Sequence, residues 1–351
     1  MDINLFDYLL PKEKIAQFPA EPRDSSKLLV VDRKTNSFSH SIFSEIIDLL
    51  TENDVLVINE SKVFPARLLG QKETGQEAEL LLLRPLGDNK WLAIGRPNLK
   101  VKQKIIFNQR SFATIIRKLD SGELEIMLTG DEKVDDLLDR QGQTPIPPYI
   151  DSNLSEQDLR KKYQTIYAKN RGSAAAPTAG LHFTEELLLK LQKKRVQIEK
   201  ITLHVGLGTF QNLRPENIKT KKLHQEFYEI TAQVAQNLNQ AKKAGKRIIA
   251  VGTTSARTLE SAVQAGEIQA GASSTQLFIF PPYRFQFVDA LITNFHLPKS
   301  SLLMLVSSLV SYPQTQTKFI NFQQSLIGQA YLEAINNDYR FFSFGDAMFI
   351  K

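Results

Sequence analysis

The chain of 351 residues contains no cysteine. Disulfide bonds, iron–sulfur clusters, a cysteine nucleophile and zinc held by cysteine are therefore all excluded. Histidine is also scarce, with five residues, and none of them is spaced His-x-x-x-His. We therefore expect no metal site, and any chemistry must come from hydroxyl, carboxylate, imidazole, amide and guanidinium groups.

Long hydrophobic runs are missing as well. The apolar run at residues 302–306 is too short to cross a bilayer. The first residues include Asp2 and Asp7, where a secretory signal peptide would carry positive charge. We therefore expect a cytoplasmic protein without a membrane span.

Hydrophobic residues make up 42% of the chain, enough for a large core, and the length predicts two domains. Charge is unevenly distributed, with 20 Lys and Arg against 23 Asp and Glu in residues 1–150, and 24 against 15 thereafter. The positive excess is concentrated in residues 160–247. A polyanion such as RNA is one explanation, and solvated faces of surface helices are the other.

Hydrophobic periodicity divides the chain into two kinds of region. Residues 63–129 form short alternating runs separated by turn signals, as in a small β-barrel or sandwich. Elsewhere helices and strands alternate, including a buried-looking strand at residues 54–58, and a proline cluster at 145–148 marks the return. We predict a discontinuous, layered α/β main domain of residues 1–64 and 146–351, with an antiparallel β-barrel of residues 65–145 inserted.

The segment 204–210, HVGLGTF, resembles half of a dinucleotide-binding fingerprint. Gln211 stands where the third glycine would be, and no acidic residue is placed to bind a ribose, so a nicotinamide enzyme is excluded. Gly206 and Gly208 would still let the backbone approach a ligand closely, although a tight turn explains them equally well.

Three further segments carry polar groups of interest. His224 and Glu226 have the His-x-Glu spacing of zinc nucleobase deaminases, which the lack of cysteine excludes; on an extended segment their side chains would share one side. Residues 247–257 form an apolar strand, a small-residue turn and a helix predicted from residue 255, so the turn could hold an anion or merely cap the helix. Residues 167–182 are rich in small side chains and suit either a loop over a ligand or a domain connection.

Together these segments resemble the S-adenosylmethionine:tRNA ribosyltransferase-isomerase family of queuosine biosynthesis. The resemblance covers nearly the whole chain, in blocks at residues 54–59, 62–68, 145–150, 163–184, 204–210, 224–226, 251–257, 293–298 and 339–348. One block departs from the family pattern His-x-Met-His-x-Glu, because Lys221 and Leu223 replace its first His and the Met. A role that depends on that first histidine is in doubt here.

The resemblance implies a tRNA substrate that carries 7-aminomethyl-7-deazaguanine at the wobble position. S-adenosylmethionine would donate its ribosyl group as a consumed substrate, with no bound cofactor, and the products would be epoxyqueuosine, adenine and methionine. Such a reaction needs a general base, an acid for the departing adenine and protection from water. No obligate protein partner is evident.

Polar and glycine residues within these blocks are our candidates for the roles that such a reaction demands. The predicted catalytic residues are His204, His224, Glu226 and His182. The predicted substrate-binding residues are Arg171, Thr178, Gly180, Gly206, Gly208, Thr253, Thr254, Arg257, Asn294, His296, Arg340 and Asp346. Of these, Asn294, Arg340 and Asp346 could instead be buried polar groups that hold the fold.

Two other functions remain open at the level of sequence. A non-catalytic RNA-binding protein would explain the charge but not the polar, glycine-rich loops. An ordinary S-adenosylmethionine methyltransferase fits less well, because no glycine-rich loop follows the first strand of the α/β domain.

Overall fold

The computed structural model describes residues 2–119, 122–150, 154–206, 213 and 215–351. Its strands are β1 Lys27–Asp32, β2 Ser37–Ile42, β3 Asp54–Asn59, β4 Ser61–Val63, β5 Arg67–Lys72, β6 Glu77–Gly87, β7 Lys90–Arg96, β8 Lys104–Asn108, β9 Ser111–Lys118, β10 Leu124–Gly130, β11 Asn170–Ser173, β12 Gln197–His204, β13 Lys222–Ile230, β14 Arg247–Val251, β15 Val263–Gln264, β16 Glu267–Ile268, β17 Gly271–Leu277, β18 Ala290–Asn294 and β19 Ala347–Ile350.

The α-helices are α1 Ile46–Leu49, α2 Val134–Gln141, α3 Glu156–Lys162, α4 Glu185–Lys193, α5 Pro215–Thr220, α6 Ala232–Lys243, α7 Gly252–Ala262, α8 Ser301–Leu309 and α9 Leu326–Asn336. Short 3₁₀-helices lie at Ile3–Phe6, Lys12–Lys14, Arg23–Ser25, Phe43–Glu45 and Thr178–His182.

A nine-stranded mixed sheet organises the main part of the chain, in the order β17-β13-β12-β3-β14-β18-β19-β1-β2. Its four central strands, β12, β3, β14 and β18, are parallel, so their carboxyl ends meet at one edge. Every residue of β3 is buried, as expected for a strand covered on both faces. Apolar clusters lie on both sides of the sheet, which explains why the sequence of β3 is a continuous apolar run rather than an alternating one.

The helix α7 follows β14 without an intervening turn. The small-residue run predicted a turn and a helix from residue 255, but the helix begins at Gly252. Gly252 has a φ of +86°, a conformation that glycine adopts without a steric penalty. The chain therefore changes direction at one residue, and Thr253 and Thr254 belong to the first helical turn.

The inserted domain is a closed antiparallel barrel of six strands, in the order β10-β7-β6-β5-β8-β9. Its interior is filled by apolar side chains that alternate with outward-facing ones, as the sequence predicts. Arg67 and Gln143 pair through backbone hydrogen bonds of 3.1 and 2.8 Å, so the chain enters and leaves the barrel at adjacent points. The predicted fold class, an α/β domain with an inserted β-barrel, is confirmed. The domain boundaries at residues 65 and 145 stay a prediction.

Within the described ranges, the chain has no helix long and apolar enough to cross a membrane.

Candidate functional site

A cleft lies at the carboxyl edge of the parallel strands. Its walls come from the ends of β12, β14 and β18 and from the 3₁₀-helix Thr178–His182 with the residues before it. This edge is where open α/β sheets bind ligands, because the loops that leave neighbouring strands diverge there. Five of the predicted substrate-binding residues line the cleft: Thr178, Thr253, Thr254, Asn294 and His296.

A chain of buried hydrogen bonds supports one wall of this cleft. The Thr178 hydroxyl lies 3.0 Å from Asn294 Oδ1, and Asn294 Nδ2 lies 3.1 Å from His182 Nε2. His182 Nδ1 in turn lies 2.8 Å from the Ser26 hydroxyl. Because both ring nitrogens of His182 are engaged, its imidazole fixes the orientation of the Asn294 amide. In this geometry His182 is a positioning residue behind the cleft.

Burial lowers the pKa of His182 to about 3, and the positive charges of Arg340 and Arg23 act in the same direction. Burial also lowers the pKa of His296 to about 3. His296 is held by Thr293, whose hydroxyl lies 2.9 Å from Nε2, and its backbone N–H donates to the Tyr331 hydroxyl. Both imidazoles are therefore neutral near physiological pH, and neither supplies a protonated acid there.

The low pKa of His182 predicts an acid-sensitive fold. In the unfolded chain His182 takes up a proton near its ordinary pKa of about 6.5, whereas in the folded chain it does so only near 3. Stability is therefore fully present above about pH 6.5 and is lost as the pH falls toward 3, by about 1.4 kcal/mol per pH unit. Between pH 7 and 4, the free energy of unfolding of His182→Gln, measured with denaturant, should fall less steeply than that of the wild type. The difference in slope should correspond to the uptake of about one proton on unfolding. Equal slopes would contradict the assignment.

The helix α7 brings two hydroxyls to the cleft and carries a buried guanidinium one turn later, outside the cleft lining. Thr253 and Thr254 line the cleft, and the buried Thr254 hydroxyl has no hydrogen-bond partner among the described residues. One turn later, Arg257 is 5% exposed and forms an ion pair with Glu226, which is 4% exposed. Glu226 also accepts a 3.1 Å hydrogen bond from the N–H of Gly206.

These contacts satisfy only some of the hydrogen-bond donors of the Arg257 guanidinium. Its Nε donates to the Leu277 carbonyl at 3.2 Å and its Nη1 to Glu226. Its Nη2 is buried and meets no acceptor in the part of the chain that the structure describes. An unsatisfied buried donor on a cation carries a large desolvation cost, which an anionic ligand group would remove.

The two remaining predicted catalytic histidines differ in position. His224 is half-buried on β13, so the segment is extended, one of the two conformations that the sequence left open. His204 pairs directly with Phe227 across β12 and β13, so it faces the opposite side of the sheet from Glu226. Burial lowers the pKa of His204, and the charge of Glu229 partly opposes this. Gly172 accommodates the His204 ring, because a Cβ at position 172 would lie 2.8 Å from it.

Several predicted residues lie outside the cleft. Arg171 pairs with Asp139 at 3.0 Å and lines a second cleft beside the barrel. Gly180 packs against Tyr167, leaving no room for a side chain. Gly206 follows a cleft-lining residue directly, whereas Gly208 lies outside the described residues.

Arg340 and Asp346 influence the cleft indirectly. They form an ion pair of 3.0 Å, and Asp346 also accepts from the backbone N–H of Arg340 at 2.7 Å. The loop that they close carries Phe342 and Ser343 into the cleft wall. The pair therefore supports the site by shaping this loop.

Tyr149, Phe342 and Ser343 also line the cleft, although none of them was predicted to be a site residue. The Tyr149 and Ser343 hydroxyls are 2.8 Å apart, and the rings of Tyr149 and Phe342 pack with centroids 4.9 Å apart. These residues lie within the blocks 145–150 and 339–348 that carry the family resemblance. Their position in these blocks is the sequence signal that could have identified them.

Among the described residues, no group of three or more His, Asp or Glu side chains is placed to bind a metal ion.

The chain is similar to known proteins over nearly its whole length. The profile of the family described as "Queuosine biosynthesis protein" matches residues 3–350. Two curated relatives named S-adenosylmethionine:tRNA ribosyltransferase-isomerase match over the full length of both chains, one from Heliobacterium modesticaldum at 44% identity and one from Symbiobacterium thermophilum at 47%. A crystal structure of the S-adenosylmethionine tRNA ribosyltransferase from Thermotoga maritima matches with a TM-score of 0.56 and 36% identity, covering 99% of this chain and 100% of that one. The chain therefore belongs to the S-adenosylmethionine:tRNA ribosyltransferase-isomerase family of queuosine biosynthesis, whose members are transferases.

Proposed function

We propose that this enzyme transfers the ribosyl group of S-adenosylmethionine to 7-aminomethyl-7-deazaguanine at the wobble position of tRNA, and isomerises it to give epoxyqueuosine, adenine and methionine. The observation that carries the proposal is the cleft at the carboxyl edge of the sheet, which brings hydroxyl and amide groups from three chain segments together. The buried Glu226–Arg257 pair is joined to its wall through Gly206, which follows the lining residue Val205 and donates to Glu226. The full-length match to enzymes of that name supports it.

The polar groups of the cleft suit the parts of S-adenosylmethionine. Hydroxyl groups of Thr178, Thr253 and Thr254 can exchange hydrogen bonds with a ribose, and the Thr254 hydroxyl is not occupied by another described residue. The methionyl end carries a carboxylate, which fits the unsatisfied Nη2 of Arg257. We therefore place the ribose near the start of α7 and the methionyl carboxylate toward Arg257.

The chemistry follows from the sulfonium, which acidifies the C5′ hydrogens of the ribose. A base removes one of these hydrogens, the ribose ring opens, and adenine leaves with a proton supplied by an acid, which produces an electrophile. The aminomethyl nitrogen of the tRNA base attacks this electrophile and loses a proton. Closure of the epoxide then releases methionine. Of the four predicted catalytic residues, the geometry favours Glu226 and His224 for proton transfer, because His182 is enclosed by Ser26 and Asn294 and His204 faces the other side of the sheet.

This scheme needs tRNA and S-adenosylmethionine as its only partners and no bound cofactor. It also places the enzyme in the cytoplasm, where tRNA is modified. His296 and His182, both neutral at physiological pH, would orient substrate rather than exchange protons with it.

A product assay tests the proposal. The protein is incubated with S-adenosylmethionine and tRNA that carries the aminomethyl-deazaguanine base, with unmodified tRNA as the matched control. Release of adenine and methionine only with the modified tRNA is the expected result. Formation of S-adenosylhomocysteine would indicate a methyltransferase instead, and tRNA binding without either product would indicate a non-catalytic RNA-binding protein.

A further inference from the structure

Residues 96–118 of the barrel carry seven Lys and Arg and no Asp or Glu. This composition is unusual within its own half of the chain, because residues 1–150 as a whole contain more acidic than basic residues. The positive charge of this segment is therefore not a consequence of a generally basic domain.

Six of these cations gather at one end of the barrel. Strands β5, β7 and β9 run in the same direction, away from the point where Arg67 pairs with Gln143, and β7 and β9 end at Arg96 and Lys118. Lys118 Nζ donates to Asn98 at 2.9 Å, which joins the end of β9 to the β7–β8 connection. We call the set the barrel-end cluster: Arg96, Lys100, Lys102, Lys104, Arg117 and Lys118.

The cluster lies far from the junction with the main sheet. Lys72, at the end of β5, is paired with Ile105, so Lys104 starts β8 at the distal end. All six cluster residues are exposed. The cluster is therefore open to a large partner.

Few of these cations are neutralised. Arg117 pairs with Glu125 at 3.4 Å, and the other five form no ion pair with a described residue. The basic region 160–247, for which the sequence left polyanion contact and solvated helix faces open, is neutralised to a larger extent. Many of its cations bind carboxylates, while others, among them Lys161, Lys193 and Lys219, form no ion pair with a described residue. The pairs include Arg160–Glu156, Lys162–Glu21, Arg171–Asp139, Lys190–Glu186, Lys242–Asp289, Lys243–Glu267 and Arg247–Asp54.

Apolar side chains accompany the cluster. Val101 is 48% exposed between Lys100 and Lys102, and Ile116 is 39% exposed beside Arg117. Lys104 lies over the ring of Phe112 at 5.1 Å. Unpaired cations interspersed with apolar groups complement a sugar–phosphate backbone, since phosphates take the charge and riboses contact the apolar surface.

We propose that the barrel-end cluster binds the phosphate backbone of the tRNA substrate, so that the barrel holds the RNA while the cleft of the main domain performs the chemistry. This inference rests on the proposed function for the identity of the RNA. Each Lys that neutralises a phosphate releases counterions, so binding through the cluster depends on salt.

The test is the affinity for tRNA, measured between 50 and 200 mM salt, of Lys100→Gln, Lys102→Gln and Lys104→Gln combined. A matched control combines Lys12→Gln, Lys34→Gln and Lys318→Gln, which remove the same charge from exposed positions of the main domain. The barrel variant should bind about tenfold or more weakly at 0.1 M salt, with a slope of log K against log salt smaller by about one per lost contact. Lysine-to-arginine replacement at the three cluster positions should retain both affinity and slope.

Several outcomes would overturn the inference. One is equal affinity of the barrel variant and the control; another is a loss seen only when Lys161, Lys193 and Lys219 are changed to Gln instead. Adenine release separates this inference from the proposed function. If the wild type releases adenine and the barrel variant binds tRNA as tightly as the wild type, the barrel-end cluster is not the tRNA site, but the proposed reaction stands. If the wild type releases no adenine, the proposed reaction is wrong. The comparison of tRNA affinities then still shows whether the cluster binds tRNA.

Discussion

Glu226→Gln should both destabilise the enzyme and abolish most of its activity. The substitution removes the carboxylate that faces Arg257 and leaves a buried guanidinium whose Nη2 already meets no acceptor among the described residues. Breaking a buried ion pair from one side costs about 3–5 kcal/mol, because the remaining charge stays desolvated and uncompensated. Denaturant unfolding measures this loss, and single-turnover adenine release measures the loss of activity.

A matched control variant shows whether the loss of stability comes from the burial of the ion pair or from the removal of a carboxylate as such. Glu186→Gln removes the same group from the pair with Lys190 on the exposed side of α4, and we expect a free energy of unfolding close to wild type. A double variant, Glu226→Gln with Arg257→Met, should recover part of the stability, since no buried charge remains, while adenine release stays low. Recovery of adenine release in the double variant would show that the pair is structural only.

The Glu226–Arg257 pair also illustrates what the sequence could not predict. Each residue was a candidate from its own motif, but the ion pair joins positions 31 residues apart on β13 and α7. Local patterns define the strand and the helix, whereas their adjacency depends on β17, which pairs with β13 and supplies the Leu277 carbonyl to Arg257. Such long-range contacts are set by sheet order, which periodicity does not encode.

Elements with strong local signals were predicted well. The apolar run of β3 predicted a buried strand, and every residue of that strand is buried. The start of α7 was misplaced because Gly252 allows a strand-to-helix change without a turn, which a run of small residues does not reveal.

Part of the site was also predicted from local sequence signals. Residues that follow strands of the central sheet, such as Thr253, Asn294 and His296, converge because parallel strands end at one edge. Arg171 belonged to an equally suggestive segment, but β11 pairs with β4 and carries it toward Asp139 beside the barrel. The sequence could not distinguish these two placements.

His224→Ala should lower kcat for adenine release by roughly 100- to 10,000-fold, the usual contribution of a positioned acid or base. His224 lies two residues before Glu226 on β13, within the stretch where the pairing of β13 with β17 shifts its register. The tRNA affinity should remain close to wild type, because the substitution removes a proton-transfer group rather than a binding surface. Single-turnover kinetics, tRNA binding and thermal unfolding are measured on one preparation.

Comparison with two other histidines makes the test specific. His204→Ala removes an imidazole that packs on Gly172 and faces the other side of the sheet from Glu226, so we expect lower thermal stability with kcat largely preserved in the folded fraction. His40→Ala, on the exposed edge strand β2, is the matched control and should change neither quantity by much.

If folded His224→Ala releases adenine at a near-normal rate while His204→Ala does not, the base lies on the opposite side of the sheet. The Glu226–Arg257 pair would then act only by binding S-adenosylmethionine, and its loss would raise the KM for that substrate without a comparable fall in kcat.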